Sequence, residues 1–131
     1  MTTDLTYLAL TALLTGSLWI PYVVCQVMTN GPLEPKNYTD PAQRPMPLWG
    51  QRANRMHVNA VESFAPFAAL VLVAHAAGRA DAAVTFWAMS FFWVRLVHAI
   101  VYLLGIAYVR TVIFVLGYVC LLGLFWHLFI A

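Results

Sequence analysis

Charge is what this sequence has least of. Its 131 residues include seven lysines and arginines and five aspartates and glutamates, 9% in all, against roughly a quarter in an ordinary soluble domain. The net charge of +2 is scattered along the chain, which excludes a nucleic-acid partner, since that needs a clustered basic face. Cysteine is scarce too. Cys25 and Cys120 lie far apart inside apolar runs, so neither a disulfide framework nor a paired-cysteine metal site is expected. Both read as small buried hydrophobes. Serine or cysteine triads, phosphate-cradling glycine loops and zinc-ligand spacings are absent, and no metal is expected. Apolar side chains are abundant: 63% of the residues are hydrophobic and the mean hydropathy is +0.78. A chain this short exposes a large share of its surface, so its solvent must be lipid.

A spanning helix takes about 20 mostly apolar residues, and lipid admits only helices and closed barrels. Strand-like alternation is missing. The sequence therefore predicts an all-α membrane protein, a four-helix antiparallel bundle with spans at about 5–29, 51–77, 82–104 and 108–130 in one domain covering 1–131. The first span lacks the basic start and cleavage site of a signal peptide, carries Asp4 where a positive charge would stand, and reads as a retained helix that Pro21 should kink or loosen by one backbone bond. Residues 30–50 hold Pro32, Pro35, Pro41, Pro45 and Pro47 among Glu34, Lys36, Asp40 and Arg44, the composition of an extended polar loop. Connections at Gly78–Asp81 and Gly105 are short, which makes neighbouring helices antiparallel. Lys36, Arg44, Arg52, Arg55 and Arg110 gather at the loop end, whereas Arg79 is offset by Asp81. The positive-inside rule then puts the 30–50 loop in the cytoplasm and both termini outside.

Two helices are polar where lipid demands otherwise. Arg52, Arg55, Asn59 and Glu62 fall within about 80° of helix circumference. A charge at the bilayer centre costs at least about 2.5–3.5 kcal/mol, so this stripe must face the bundle interior or a wet cavity. The third helix repeats the device with Arg95, His98 and Tyr102. Antiparallel neighbours pair residues whose numbers have a constant sum, which sets Glu62 against Arg95, Asn59 against His98 and Arg55 against Tyr102. Glu62 and Arg95 are expected to form a buried structural ion pair. Such polar groups can serve as glue between helices. Here they also leave an excess of positive charge and donors in a cavity open to the cytoplasm, which suits a small anionic ligand.

The run Arg52-Ala-Asn-Arg55-Met-His57-Val-Asn59-Ala-Val-Glu62-Ser-Phe-Ala-Pro66-Phe67 resembles the signature of the MAPEG family, the membrane-associated proteins in eicosanoid and glutathione metabolism. Its pattern is an arginine, Asn four on, Glu three further, and Pro-Phe beyond. The run Arg95-Leu-Val-His98-Ala-Ile-Val-Tyr102, followed by Arg110-Thr111, resembles the second family block. Length, four spans and the long first loop agree across the whole chain. The resemblance, to a bacterial-type member, implies a homotrimer in the cell inner membrane, with glutathione as co-substrate between neighbouring subunits near the cytoplasmic face. By it, Arg55, Asn59, Glu62, His98 and Tyr102 hold the tripeptide. Arg110 is the catalytic group that favours the reactive thiolate, and Thr111 stands where some relatives carry a serine hydroxyl. A hydrophobic electrophile would enter from the lipid, for transfer or for peroxide reduction. The first span ends Val27-Met-Thr-Asn-Gly31-Pro32, without the arginine of eicosanoid-forming relatives, and Phe114 replaces a tyrosine found in some; eicosanoid substrates are therefore not expected.

Two other classes remain open. One is a non-enzymatic scaffold or lipid-binding trimer with the same fold. The other is a membrane cytochrome. His57 and His75 lie five turns apart on one helix face, and His98 and His127 would have to complete two bis-histidine haem sites. That arrangement leaves the Arg55–Asn59–Glu62 stripe without a purpose.

Overall fold

The computed structural model describes residues 1–39 and 45–130; Asp40, Pro41 and Arg44 of the expected loop lie outside them. Among the described residues five α-helices follow one another: α1 (Thr3–Ser17), α2 (Trp19–Asn30), α3 (Leu48–Ala76), α4 (Ala82–Leu104) and α5 (Ala107–Phe129), with a 3-10 turn at Pro35–Asn37. They make four stretches long and apolar enough to cross a membrane, Thr3–Asn30, Leu48–Ala76, Ala82–Leu104 and Ala107–Phe129.

The first span is interrupted at Leu18, between α1 and α2. Pro21 has no N–H to return to the Ser17 carbonyl, and α1 ends there, with the Leu18 N–H taken by Thr15 O at 3.3 Å. The second span starts at Leu48, earlier than expected. Pro47 supplies the preset φ and caps the helix, its carbonyl accepting from the N–H groups of Gly50 and Gln51. Gly50 therefore lies inside α3, where its missing side chain has a use. A Cβ there would collide with Cys25 Sγ and Met46 Cε, so glycine is what lets α2 approach α3. The loop folds back on itself, with Tyr38 OH donating to Gly31 O at 2.6 Å and Asn37 Nδ2 to Pro32 O at 2.8 Å.

Both tight turns close alike. Gly105 is left-handed (φ 75°), and the Ile106 N–H reaches back to Val101 O at 3.3 Å. Gly78 repeats this, with Arg79 N–H on Ala74 O at 2.8 Å. These are glycine-closed helix ends. Asp81 then caps α4 by accepting from the N–H groups of Ala83 and Val84.

Helix α4 is the inner one, packed by α1, α3 and α5. Phe67, Val71 and Ala74 of α3 meet Val84, Ala88 and Phe91 of α4 and Cys120, Leu124 and Leu128 of α5 in the main core. A smaller cluster of Leu18, Met56, Ala60 and Ala99 lies nearer the loop end. The outer faces show large apolar side chains such as Leu13, Leu72 and Trp126, as lipid contact requires.

Candidate functional site

The polar stripes of α3 and α4 do face each other. Phe67 stacks on Phe91 with centroids 4.0 Å apart, and the Arg52 guanidinium lies over the Gly105 turn. Arg52 and Gly105 match the constant-sum register, and Phe67 and Phe91 lie within one residue of it. The polar pairing inside that register differs from expectation. Arg95 is only 4% exposed and donates from Nη2 to Asn59 Oδ1 at 2.9 Å. Glu62 is exposed, and among the described residues no ion pair joins it to Arg95. The cause is helical geometry. Three residues beyond Asn59, Glu62 is rotated about 60° out of the α3–α4 seam, and the long arginine reaches back one turn to a neutral acceptor that remains inside. Gly117 on α5 leaves space for the guanidinium; a Cβ there would lie 3.7 Å from Arg95 Cδ.

Asn59 is the junction of three cavities. One, of about 190 Å³, is walled by Asn59, His98, Tyr102, Arg110, Thr111 and Phe114. A second, of about 130 Å³, is walled by Arg55, Val58, Asn59, Glu62 and Tyr102. Together these form a cleft at the loop end that gathers Arg55, Asn59, Glu62, His98, Tyr102, Arg110 and Thr111 from three helices. Arg110 sits over the Tyr102 ring, Cζ 4.9 Å from its centroid, and the His98 ring is 5.4 Å from Tyr102. The Thr111 hydroxyl spends its proton on Ala107 O at 3.3 Å. His98 is buried, and its Nδ1 has no hydrogen-bond partner among the described residues; the same holds for Arg52 Nε. A buried polar atom left alone costs about 1–3 kcal/mol, so a polar ligand here would recover free energy. Arg55 and Arg110 against the single carboxylate of Glu62 make the cleft cationic.

A third cavity runs deeper, past Asn59 and Arg95, between α3 and α5. Its walls include Phe114, Gly117 and Tyr118 of α5, and the sequence pattern did not single out the latter two because apolar and small residues on a spanning helix carry no period-specific signal.

The opposite end of the bundle is also polar, and sequence reasoning missed how. His75 Nε2–H donates to the carboxylate of buried Asp4, tying α3 to α1. His127 Nε2–H donates to Asp81 Oδ2 at 2.7 Å, and Arg79 Nη1 to Leu128 O. The His127 hydrogen bond, helped by the Val84 N–H, holds the Asp81 carboxyl below its ordinary range. An acid in the first turn of an apolar helix has to find a partner at its own membrane end, which was a usable signal. His75 and His127 thus each commit Nε2 to an aspartate rather than leaving it free for a haem iron.

No curated protein and no solved structure matches the chain. The family profile described as "MAPEG family" matches residues 5–130, which takes in α1 from Leu5 onward, the other four helices and both polar stripes. A helical bundle with four membrane-crossing stretches, carrying the arginine–asparagine–glutamate stripe and its partner on α4 through that matched region, is a multi-pass integral membrane protein that belongs to the MAPEG family.

Proposed function

We propose that the protein is a glutathione-dependent membrane transferase or peroxidase that presents a glutathione thiolate to a hydrophobic electrophile. The observation that carries this reading is the loop-end cleft, with two outward arginines, one carboxylate and an unpartnered buried imidazole nitrogen around Asn59. Glutathione offers two carboxylates, one ammonium and a sulfur. Arg55 suits a carboxylate in charge-assisted hydrogen bonds, and Glu62 suits the ammonium. Tyr102 and His98 supply neutral contacts along the backbone. Arg110, held over Tyr102, places a guanidinium where it favours the charged sulfur.

Family membership associates the chain with glutathione-using proteins in general. Glu62 stands about 20 Å into a spanning helix at 1.5 Å per residue and is exposed in a single subunit. Lipid does not tolerate that, which supports a neighbouring subunit covering the cleft, in a homotrimer as the family implies. The basic loop end is assigned to the cytoplasm and the Asp4 end to the far side of the cell inner membrane.

The test is thermal unfolding in detergent with millimolar glutathione. Binding to the folded state raises the midpoint by mass action, and Arg55→Ala and Glu62→Ala should each abolish the rise. An unchanged midpoint in the parent protein overturns the reading and favours a non-enzymatic lipid-binding trimer. If the rise is seen, a panel of electrophiles and hydroperoxides separates transferase from peroxidase.

A further inference from the structure

We propose that the deep cavity between α3 and α5 is a binding chamber for a compact aromatic molecule with a neutral oxygen acceptor at its edge, the acceptor meeting Arg95. The inference deepens the glutathione reading and rests on it for chemistry, though not for binding.

The chamber is built by two sequence features. Pro66 has no N–H, so the Glu62 carbonyl loses its helical partner and α3 is loosened at this point. Across from it, Gly117 places no side chain beside Arg95. The space between them is about 250 Å³, below the roughly 300–1,000 Å³ of pockets that take drug-sized molecules. One or two aromatic rings fit such a volume, and a long acyl chain does not. Phe91, itself stacked on Phe67, and Phe114 offer aromatic walls, with Leu121 beyond them. Rings pack on such walls with a gain beyond their buried area.

The polar groups choose the occupant's functional group. A guanidinium has five N–H donors. Arg95 commits one to Asn59 and, among the described residues, faces no carboxylate within ion-pair distance. In this dry setting it favours an electron-rich acceptor. Glu62 lines the same chamber and repels a full anion. A neutral carbonyl or nitro oxygen satisfies both.

The chamber shares Asn59 and Phe114 with the cleft, so its occupant lies beside whatever the cleft holds. With glutathione there, an α,β-unsaturated ketone of this size is the matching co-substrate. The sulfur pair forms the bond to the β-carbon, the carbon–carbon π pair shifts toward the ketone oxygen, and the Arg95 N–H hydrogen-bonds the resulting enolate. The proton that the thiol released to water returns to the α-carbon, leaving a thioether.

Benzophenone tests the binding directly, since it is compact, carries a carbonyl and cross-links on irradiation. It is applied to the full chain in detergent without glutathione, and the adducts are mapped by mass spectrometry. The expected result is saturable labelling at Ser63, Phe114, Tyr118 and Leu121, lowered about tenfold by Gly117→Leu, a change of about 1.4 kcal/mol in binding. Gly117→Ala adds a methyl at ordinary contact distance from Arg95 and Val94; it should fold like the parent and lower labelling by a smaller factor. Leu116→Ala, on the lipid face, should leave labelling unchanged. Labelling that does not saturate, that spreads over lipid-facing Val115 and Leu122, or that ignores both Gly117 variants overturns the proposal. Absence of a glutathione-induced thermal shift alongside saturable chamber labelling would sink the first reading alone, and the converse would sink the chamber alone.

Discussion

Replacing Asn59 by leucine tests the inner polar contact most sharply. Leucine has the same branched shape and number of heavy atoms as asparagine and removes the only acceptor that the described residues offer Arg95, at 2.9 Å. A hydrogen bond to a charged group is worth about 1.5–3 kcal/mol, and a guanidinium that is 4% exposed has little water to fall back on. Asn59→Leu should therefore destabilise the protein by about that amount. Arg95→Met removes the charge and should cost less, because well-packed apolar replacements of buried charged groups are often neutral. In the double variant the leucine should add almost nothing to the methionine, so the cycle returns a coupling of about 1.5 kcal/mol or more. Glu62→Gln is the control. It lies outside the seam and should leave the stability of the glutathione-free protein within about 0.5 kcal/mol. Thermal or chemical unfolding in detergent measures all four. If Glu62→Gln costs as much as Asn59→Leu, the carboxylate is the true partner of Arg95 and the rotational argument fails.

Three further outcomes are expected. Arg110→Ala should lower turnover with glutathione and move its pH dependence upward, each unit of thiol shift amounting to about 1.4 kcal/mol, while glutathione affinity changes less; an ultraviolet thiolate titration identical to that of the parent refutes the role. Gly50→Ala should cost about 1–3 kcal/mol by overpacking against Cys25, and Cys25→Ala in the same chain should recover part of it; equal melting points for Gly50→Ala and the parent would contradict the close approach of α2 and α3. Because the folded-state Asp81 carboxyl titrates below its ordinary value of 3.8 through the His127 hydrogen bond, its contribution is present above about pH 4 and lost as pH falls through the folded value. Asp81→Asn should flatten that acid limb in melting curves between pH 5 and 3, and an unchanged limb removes the assignment.

What the sequence determined by itself is whatever lipid enforces locally. A run of apolar residues long enough to cross the bilayer, with no strand-like alternation, has only the helix open to it, so the expected bounds of Ala82–Leu104 coincide with α4 and the other spans lie within a few residues of their helices. Proline and glycine at the ends acted through their own backbones, and the α4–α5 turn at Gly105 was legible for that reason. The clustering of Arg55, Asn59 and Glu62 on one face, opposite His98 and Tyr102, was likewise periodic and could be read directly. Tertiary structure decided everything that depends on rotation and reach across a seam. Both Asn59 and Glu62 sit on the stripe, yet a turn of about 60° leaves one inside with Arg95 and the other facing out. The Asp4–His75 tie joins residues 71 positions apart, and the chamber beside Gly117 exists because a side chain is missing on one helix where another helix carries an arginine. Neither has a period along the chain, since each is set by the distance between helices.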